Sequence, residues 1–179
     1  MIDLGIQFAV LTFLAIFFAG SALHKLTHFS SFRLAITGYG IMPAALVPTA
    51  AAIAASAEVL VVVLALLPGY QPVAALLGAS LFLGYACLMM VAILRGNAGA
   101  DCGCNWGNSR QSTPLGRPLI YRNLVLALIT LIAVATPDIR SLVWLDWVTA
   151  LLASAAIILL YQAFNALIAT LAFQQEHSS

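Results

Sequence analysis

Charge is the property that this sequence has least of. Only 7% of its 179 residues are Asp, Glu, Lys or Arg, while 63% are hydrophobic. A soluble domain carries about 25% charged residues, because its surface faces water. The composition therefore argues against a soluble domain and predicts an integral membrane protein. The net charge of +1 is typical neither of a nucleic-acid-binding protein nor of a protein with an acidic partner.

Cysteine is also scarce, since the chain has only Cys87, Cys102 and Cys104. Three cysteines are too few for a structural disulfide framework, and the odd number leaves at least one thiol unpaired. Cys102 and Cys104 are separated by a single glycine. This spacing indicates a redox or metal site.

A basic leader segment is absent, because Met1, Ile2 and Asp3 precede the first apolar run. No convincing small-residue cleavage site follows, so we expect this run to be retained as a membrane span. A helix of about 20 apolar residues crosses the ~30 Å of hydrocarbon in a bilayer. Five stretches meet or nearly meet that length: about 4–23, 44–67, 72–94, 119–135 and 147–173.

These stretches predict an all-α integral membrane protein with one domain over residues 1–179. A motif loop at 95–118 separates the third and fourth spans, and a short interfacial helix is expected at 29–37. Ala and Gly recur within the spans, and such small residues let helices pack closely in lipid. We therefore expect a compact helical bundle.

Six of the seven basic residues fall on one side of this five-span arrangement. That side holds the first connector, the motif loop and the C-terminus: Lys25, Arg33, Arg95, Arg110, Arg117 and Arg122. The positive-inside rule then predicts a cytoplasmic motif loop. Basic side chains beside a working thiol can also be present for its chemistry, so charge alone leaves the side open.

Residues 101–107 of the motif loop read Asp-Cys-Gly-Cys-Asn-Trp-Gly. A disulfide between cysteines this close is strained, which raises its reduction potential and suits it to passing oxidising equivalents on. Lys25, Arg95 and Arg110 could stabilise a thiolate there. Two other interpretations stay open: an inert exposed loop, and a soft-metal or zinc site completed by His24 or His28.

Glu58 is the only carboxylate well inside a predicted span. Burying it costs several kcal/mol unless it is neutral or paired, so a role in function is the default hypothesis. We interpret Glu58 as a proton relay; the alternative is a protonated carboxyl that bonds to a Ser or Tyr for packing. Cys87 lies about 10 Å below the end of the third span. It is either a third exchange partner or a small buried hydrophobe.

Polar residues also fall at helix ends on the motif side. They form the pairs His24-Lys25 and Arg122-Asn123, which can simply snorkel towards the membrane surface. Trp106 lies two residues after Cys104. It could stack on a partner or a flat cofactor, or could act as an interfacial anchor.

Together these residues resemble the MauE family of methylamine-utilisation proteins. The resemblance covers about residues 10 to 130 and is carried by His24-Lys25, Phe32-Arg33, Gly38-Tyr39, Pro43, Glu58, Asp101-Cys102-Gly103-Cys104 and Arg122-Asn123. The Asp-Cys-Gly-Cys loop is the specific part. The family usually continues with Phe-Gly, whereas Asn105 here moves the aromatic residue one position along. The family also resembles DoxX membrane proteins and, more distantly, thiol oxidoreductases of the DsbB and vitamin K epoxide reductase (VKOR) type.

We expect five spans with a four-helix core, and the resemblance implies that this core is DoxX/VKOR-like. It also implies a membrane factor that forms or maintains disulfides in exported proteins, as MauE does for the small subunit of methylamine dehydrogenase. Cys102 and Cys104 would cycle between dithiol and disulfide with a thioredoxin-fold partner that serves a disulfide-containing client. His24, Lys25 and Arg122 would tune the thiolate.

In this hypothesis Glu58 would handle protons. Trp106 and Asn123 are the candidate cofactor-binding residues, and a quinone as terminal redox partner follows from the distant resemblance only. The implied location is the inner (plasma) membrane. The implied client side is extracytoplasmic, against the charge rule, and we favour the family on this point.

Two other functions remain as hypotheses. One is a membrane protein that binds or transports a soft metal through Cys102, Cys104 and His24 or His28. The other is a non-catalytic membrane subunit that only anchors a redox partner.

Overall fold

The computed structural model describes residues 3–97, 116–135, 141 and 143–177. Every regular element in these residues is helical: α1 (Leu4–Thr27), α2 (Phe29–Gly38), a short 3₁₀ turn (Ala44–Leu46), α3 (Val47–Leu66), α4 (Gln71–Leu94), α5 (Arg117–Ile132) and α6 (Trp144–His177). The predicted all-α class is confirmed, and a helix, α2, lies where a short one is expected at 29–37. Cys102, Cys104 and Trp106 lie outside the described residues.

Four segments of the described chain are long and apolar enough to cross a membrane. They are Leu4–Thr27, Ala44–Leu66, Gln71–Leu94 and Trp144–Leu171. Large aliphatic side chains are exposed along all of them, as a lipid-facing surface requires. The chain is therefore a multi-pass membrane protein, as the composition predicts.

The fourth predicted span corresponds to α5, which has 16 residues. At 1.5 Å per residue this helix is about 24 Å long, less than the ~30 Å of hydrocarbon in a bilayer. The count of five spans and the DoxX/VKOR-like core therefore stay predictions.

Capping and proline residues define where the helices begin. The Asp3 side chain accepts a hydrogen bond of 2.7 Å from a backbone N–H in the first turn of α1. Pro48, Pro72 and Pro118 stand in the first turns of α3, α4 and α5. A proline there costs nothing, because the first N–H groups of a helix have no partner within it.

The core is built around aromatic residues of α1. Phe17 lies 5.4 Å from Phe82 of α4 and 5.0 Å from Tyr161 of α6, measured between ring centroids. Close approach of α1 and α4 needs a glycine, because a Cβ atom at Gly78 would lie only 3.0 Å from the Leu14 side chain. Thus α1 lies centrally, with α3, α4 and α6 around it.

Polar contacts hold one end of the bundle together. Gln7, near the start of α1, donates hydrogen bonds of 2.9 Å and 3.2 Å to the carbonyl oxygens of Ala133 and Ala135 after α5. The end of α5 therefore lies beside the start of α1. The start of α5 then lies at the other end of the bundle, with the end of α1, α2 and the end of α4; we call this the loop end.

Candidate functional site

A cluster of polar side chains is buried between α1, α3 and α4. It consists of Ser21, Lys25, Glu58 and Tyr85, and we call it the Lys25–Glu58 cluster. Lys25 is 2% exposed and Glu58 is 0% exposed. Lys25 Nζ forms an ion pair with Glu58 Oε1. The same oxygen accepts hydrogen bonds from Ser21 Oγ at 3.1 Å and from Tyr85 Oη at 2.7 Å.

The charge of Lys25 is compensated on several sides. Its Nζ donates to Tyr85 Oη at 3.0 Å and lies 4.5 Å from the centre of the Tyr85 ring and 4.9 Å from that of Phe32. Cations bind favourably over aromatic faces, more so when water is excluded. Ser21 and Lys25 are four residues apart on α1, so they lie on one face of that helix. An otherwise costly buried charge is in this way held inside the bundle.

The second carboxylate oxygen of Glu58 is different. Glu58 Oε2 is buried and accepts no hydrogen bond from any residue that the structure describes. A buried acceptor without a donor costs roughly 1–3 kcal/mol. Protonation would turn this oxygen into a donor and remove the negative charge. Oε2 is therefore the atom of the cluster best placed to take up a proton.

A small cavity adjoins the cluster. It has a volume of about 70 Å³, and Lys25 and Tyr85 are the polar residues of the cluster that line it. The other walls are mainly apolar and come from α2, the segment after it, α3 and α4, for example Phe32, Met42 and Met89. Since a water molecule occupies about 30 Å³ in the liquid, the cavity has room for about two. Lys25 and Tyr85 touch both the cavity and Glu58, so hydrogen bonds connect the two.

The cavity is small compared with the quinone that the distant resemblance implies. An apolar cavity of about 150 Å³ holds a benzene molecule, and the volume beside Lys25 is about half of that. Trp106, one of the two candidate cofactor-binding residues, lies outside the described residues. No step of the chemistry below is therefore routed through a quinone.

The start of the motif loop is anchored to a wall of this cavity. Arg95 Nη1 donates to the carbonyl oxygen of Gly40 at 2.9 Å, and Asn97 Nδ2 donates to that of Tyr39 at 3.0 Å. Tyr39 and Ile41 also line the cavity. Gly40 has φ +62°, and a Cβ atom there would lie 2.6 Å from Asn97 Nδ2. The segment that holds the base of the loop is thus the segment that closes the cavity.

His24 and His28 lie at the loop end of α1, outside the Lys25–Glu58 cluster. Their rings stack with centroids 4.8 Å apart and an interplanar angle of 28°. Among the described residues, no three or more His, Cys, Asp or Glu side chains come close enough together to hold a metal ion. The cysteines of the proposed metal site lie outside that part of the chain, so this hypothesis stays open.

Arg122 and Asn123 point to different partners. Arg122 Nη1 donates to Asn165 Oδ1 of α6, and the guanidinium lies 4.6 Å from the centre of the Tyr161 ring. Asn123 is buried, donates to the carbonyl oxygen of Leu119 at 2.9 Å and lies 3.8 Å from the Met89 sulfur. Their suggested roles beside a thiolate or a cofactor stay predictions.

Cys87 is a free cysteine on the exposed surface of α4. Tyr85, two residues earlier, faces the Lys25–Glu58 cluster, so Cys87 points in a different direction, towards lipid. Its suggested role as a third exchange partner also stays a prediction.

Sequence reasoning selected Lys25 and Glu58 separately but missed three residues around them. Ser21 and Tyr85 complete the cluster, and Asn97 holds the base of the loop. The sequence pattern could have identified two of these three residues, Ser21 and Tyr85. Ser21 lies one helical turn before Lys25, and Tyr85 is a phenol inside an apolar span. Asn97 offered no such signal, because one polar residue in a polar loop is unremarkable.

Comparisons with known proteins agree with the resemblance. The profile of the family "Methylamine utilisation protein MauE" matches residues 5–136. The methylamine utilization protein MauE of Paracoccus denitrificans is 31% identical over 157 residues, which cover 87% of this chain and 83% of the relative. The protein of the same name from Methylophilus methylotrophus is 27% identical, with 87% and 82% covered. No solved structure matches the chain.

Proposed function

The chain belongs to the MauE family, and on this premise we propose that it acts in methylamine utilisation as a membrane protein of thiol–disulfide exchange. Cys102 and Cys104 are the exchanging pair, and a thioredoxin-fold protein is the partner. The observation that carries the proposal is the buried Lys25–Glu58 cluster next to the cavity wall that anchors the motif loop. A bundle that served only as an anchor has no need to bury such a pair in a membrane.

The proposed exchange takes place in two steps between the Cys102–Cys104 pair and the partner. A thiolate of the reduced partner attacks one sulfur of the Cys102–Cys104 disulfide, so the S–S bond of the pair breaks and a mixed disulfide forms. The second thiolate of the partner then attacks the mixed disulfide and releases the pair as a dithiol. The partner is oxidised and the pair is reduced, with two electrons and two protons transferred. The same steps in reverse oxidise the pair.

Proton transfer is where the buried cluster contributes. Thiolates are the reacting species, so each exchange step needs a base that takes a proton and later returns it. In the proposal, protons pass between the loop and the cavity water, and Lys25 and Tyr85 connect that water to Glu58. Glu58 holds the proton on Oε2, while Ser21 and Tyr85 keep Oε1 in place.

The first test is to trap the exchange. A Cys104→Ser variant, or a Cys102→Ser variant, should form a mixed disulfide with a thioredoxin-fold protein, seen as a reductant-sensitive band on a gel. The control is the Cys102→Ser/Cys104→Ser double variant, which should trap nothing. The proposal is wrong if cells that carry only the double variant still form every dependent disulfide; the anchor hypothesis would then be favoured.

The second test addresses the cluster. We expect Glu58→Gln to slow exchange with a purified thioredoxin-fold protein and to change the pH dependence of its rate, because the amide cannot take up a proton. The control is Thr130→Val, which alters a buried side chain that donates to the Leu126 carbonyl oxygen one turn away and lies outside the Lys25–Glu58 cluster. Equal rates and pH profiles for both variants would remove the proton-transfer part of the proposal.

We further propose that the motif loop faces the extracytoplasmic side of the inner membrane. Three basic residues of the loop end have structural partners: Lys25 pairs with Glu58, Arg95 binds the segment after α2, and Arg122 binds Asn165. Their presence at this end therefore has causes other than the positive-inside rule. Labelling of cysteine variants at the loop end with a membrane-impermeant reagent in intact cells decides the side.

The stacked pair His24 and His28 supports a second candidate function. Histidines four residues apart on a helix lie on one face, where both can reach a single metal ion. Together with Cys102 and Cys104 they would provide four ligands. Anaerobic purification followed by elemental analysis tests this function. Stoichiometric zinc or copper that is lost in Cys102→Ser would favour metal binding over exchange.

A further inference from the structure

A groove lies between α2 and the start of α3, at the loop end. Its volume is about 330 Å³, within the range of about 300–1,000 Å³ that is usual for small-molecule sites. Six residues line it: Ser30, Arg33, Leu34, Thr37, Ala44 and Val47. None of these six lines the small cavity beside the Lys25–Glu58 cluster, so the groove is a separate feature of the surface.

The helix α2 separates this groove from the cavity. The four α2 residues of the groove are spaced i, i+3, i+4 and i+7, so they lie on one face of the helix. Three of these four residues are polar. Phe32 and Ile36 lie on another face of α2 and line the cavity. The helix α2 therefore turns an apolar side towards the protein and a mainly polar side towards the groove.

The groove lies at the boundary of the hydrocarbon. Its other wall is formed by Ala44 and Val47, which belong to the first turns of the membrane-spanning segment Ala44–Leu66. On the α2 side, Leu34 is 72% exposed and stands next to the exposed Arg33. Exposed apolar and basic side chains together are typical of a helix that lies in the membrane surface. The groove is therefore at the level of the lipid headgroups.

Arg33 gives the groove its charge. Within the part of the chain that the structure describes, the Arg33 guanidinium has no hydrogen bond and no ion pair. Asp3 and Asp146 stand at the starts of α1 and α6, at the opposite end of the bundle. Glu58 is buried and paired with Lys25. The described carboxylate side chains thus provide no counter-charge for Arg33, and an anion is the complementary ligand.

From this unpaired cation at the hydrocarbon boundary, we propose that the groove between α2 and α3 binds the headgroup of an anionic phospholipid. Arg33 binds the phosphate, because its planar guanidinium donates two parallel hydrogen bonds to two oxygens. The Ser30 hydroxyl, on the same face of α2, donates a third. One acyl chain extends along the span, where Leu46, Ile53 and Leu60 are exposed at intervals of seven residues. Lipid binding in this groove does not depend on disulfide exchange.

The test uses the full chain purified in detergent. Phosphatidylglycerol, or phosphatidylcholine with the same acyl chains, is added, and bound lipids are counted by native mass spectrometry. Phosphatidylglycerol should be retained about fivefold more strongly, since one basic residue near a membrane surface has about that effect on anionic-lipid binding. An excess of glycerophosphate should not displace it, because glycerophosphate has no acyl chain to bury. Equal retention of the two lipids, or displacement by glycerophosphate, would overturn the proposal.

Variants locate the site. Arg33→Gln should reduce phosphatidylglycerol retention about fivefold, and Arg33→Lys by less, because it keeps the charge but loses the fork. Ala44→Phe should fill the groove and reduce retention with Arg33 intact. The matched control is Arg117→Gln, which removes an exposed charge at the loop end outside the groove and should change retention less. An equal loss in Arg33→Gln and Arg117→Gln would indicate a general effect of surface charge and would overturn the proposal.

An acidic surface of a partner protein is the other occupant that Arg33 would fit. Binding of a thioredoxin-fold protein to the Arg33→Gln variant, measured in the same detergent, separates the two occupants. Reduced retention of phosphatidylglycerol with unchanged protein binding is the expected result. Unchanged retention of the lipid would overturn the proposal, and weaker protein binding in the same variant would then indicate an acidic protein in the groove.

Discussion

Lys25 and Arg122 are both cations at the loop end of a membrane-spanning bundle, yet the protein accommodates them differently. Lys25 is fully buried and pairs with a carboxylate from a neighbouring helix. Arg122 is half-buried between α5 and α6, where an amide and an aromatic ring are among its partners. In the proposed function the first arrangement takes part in proton transfer. The second connects α5 to α6.

The comparison predicts that the largest effect comes from separating Lys25 and Glu58. Lys25→Met leaves the Glu58 carboxylate buried without its counter-charge, which should lower the free energy of unfolding by about 3–5 kcal/mol. Removing both charges in Lys25→Met/Glu58→Leu should restore most of it, because an apolar pair can replace a buried ion pair. Thermal unfolding in detergent measures both changes.

The double variant also separates stability from activity. It should fold but exchange disulfides slowly, because no group is left to hold the proton. A double variant as unstable as Lys25→Met would show that the ion pair is needed for folding itself. A double variant with full exchange activity would show that the cluster has no part in the chemistry.

A smaller effect is expected for Tyr85→Phe. This variant keeps the ring over Lys25 but removes the hydroxyl that donates to Glu58 Oε1 at 2.7 Å. A hydrogen bond to a charged group contributes about 1.5–3 kcal/mol, so unfolding should become easier by about that amount. Exchange should slow as well, because the variant removes one of the two polar groups that connect the cavity to Glu58. Tyr70→Phe, on an exposed tyrosine, is the control; equal behaviour of the two would contradict the role of the hydroxyl.

Gly40→Ala tests the anchoring of the motif loop. Gly40 and Gly69 both have positive φ, so an alanine at either costs roughly 1–2 kcal/mol of backbone strain. Only at Gly40 would the new Cβ also meet Asn97, whereas nothing lies within 4 Å at Gly69. We expect Gly40→Ala to reduce mixed-disulfide trapping and Gly69→Ala to leave it unchanged. Trapping that is equal in both variants would disconnect the loop base from the exchange.

The smallest effect should come from Asn165→Leu. Arg122 is only half-buried, so loss of this acceptor should lower the free energy of unfolding by about 1 kcal/mol, less than a lost bond at the fully buried Glu58. Thermal unfolding in detergent measures this change. A loss as large as that of Lys25→Met would contradict the comparison.

Much of the helical framework could be predicted from the sequence. Long apolar runs, prolines in first turns and breakers such as Pro68-Gly69 indicate where helices begin and end. Glu58 was recognisable because a carboxylate inside an apolar run is costly, and hydrogen bonding to a Ser or Tyr was one of its two expected states. The structure provides both, in Ser21 and Tyr85.

The partners across helices could not be predicted. Lys25 and Glu58 are 33 residues apart on different helices. Their pairing depends on how each helix is rotated about its axis. In a membrane protein both the core and the lipid-facing surface are apolar, so the hydrophobic pattern does not indicate the inward face. For the same reason the contact of Arg122 with Asn165 of α6 could not be predicted.

Gly78 has a consequence for the Lys25–Glu58 cluster two turns away. It is seven residues before Tyr85, so both lie on the same side of α4. Because Gly78 lets the Leu14 side chain sit directly against the α4 backbone, it sets the spacing between the two helix axes. A methyl group at this position would act as a wedge and lift the phenol away from its carboxylate. The absence of a side chain at Gly78 thus keeps Tyr85 within reach of Glu58, as the proposed proton path requires.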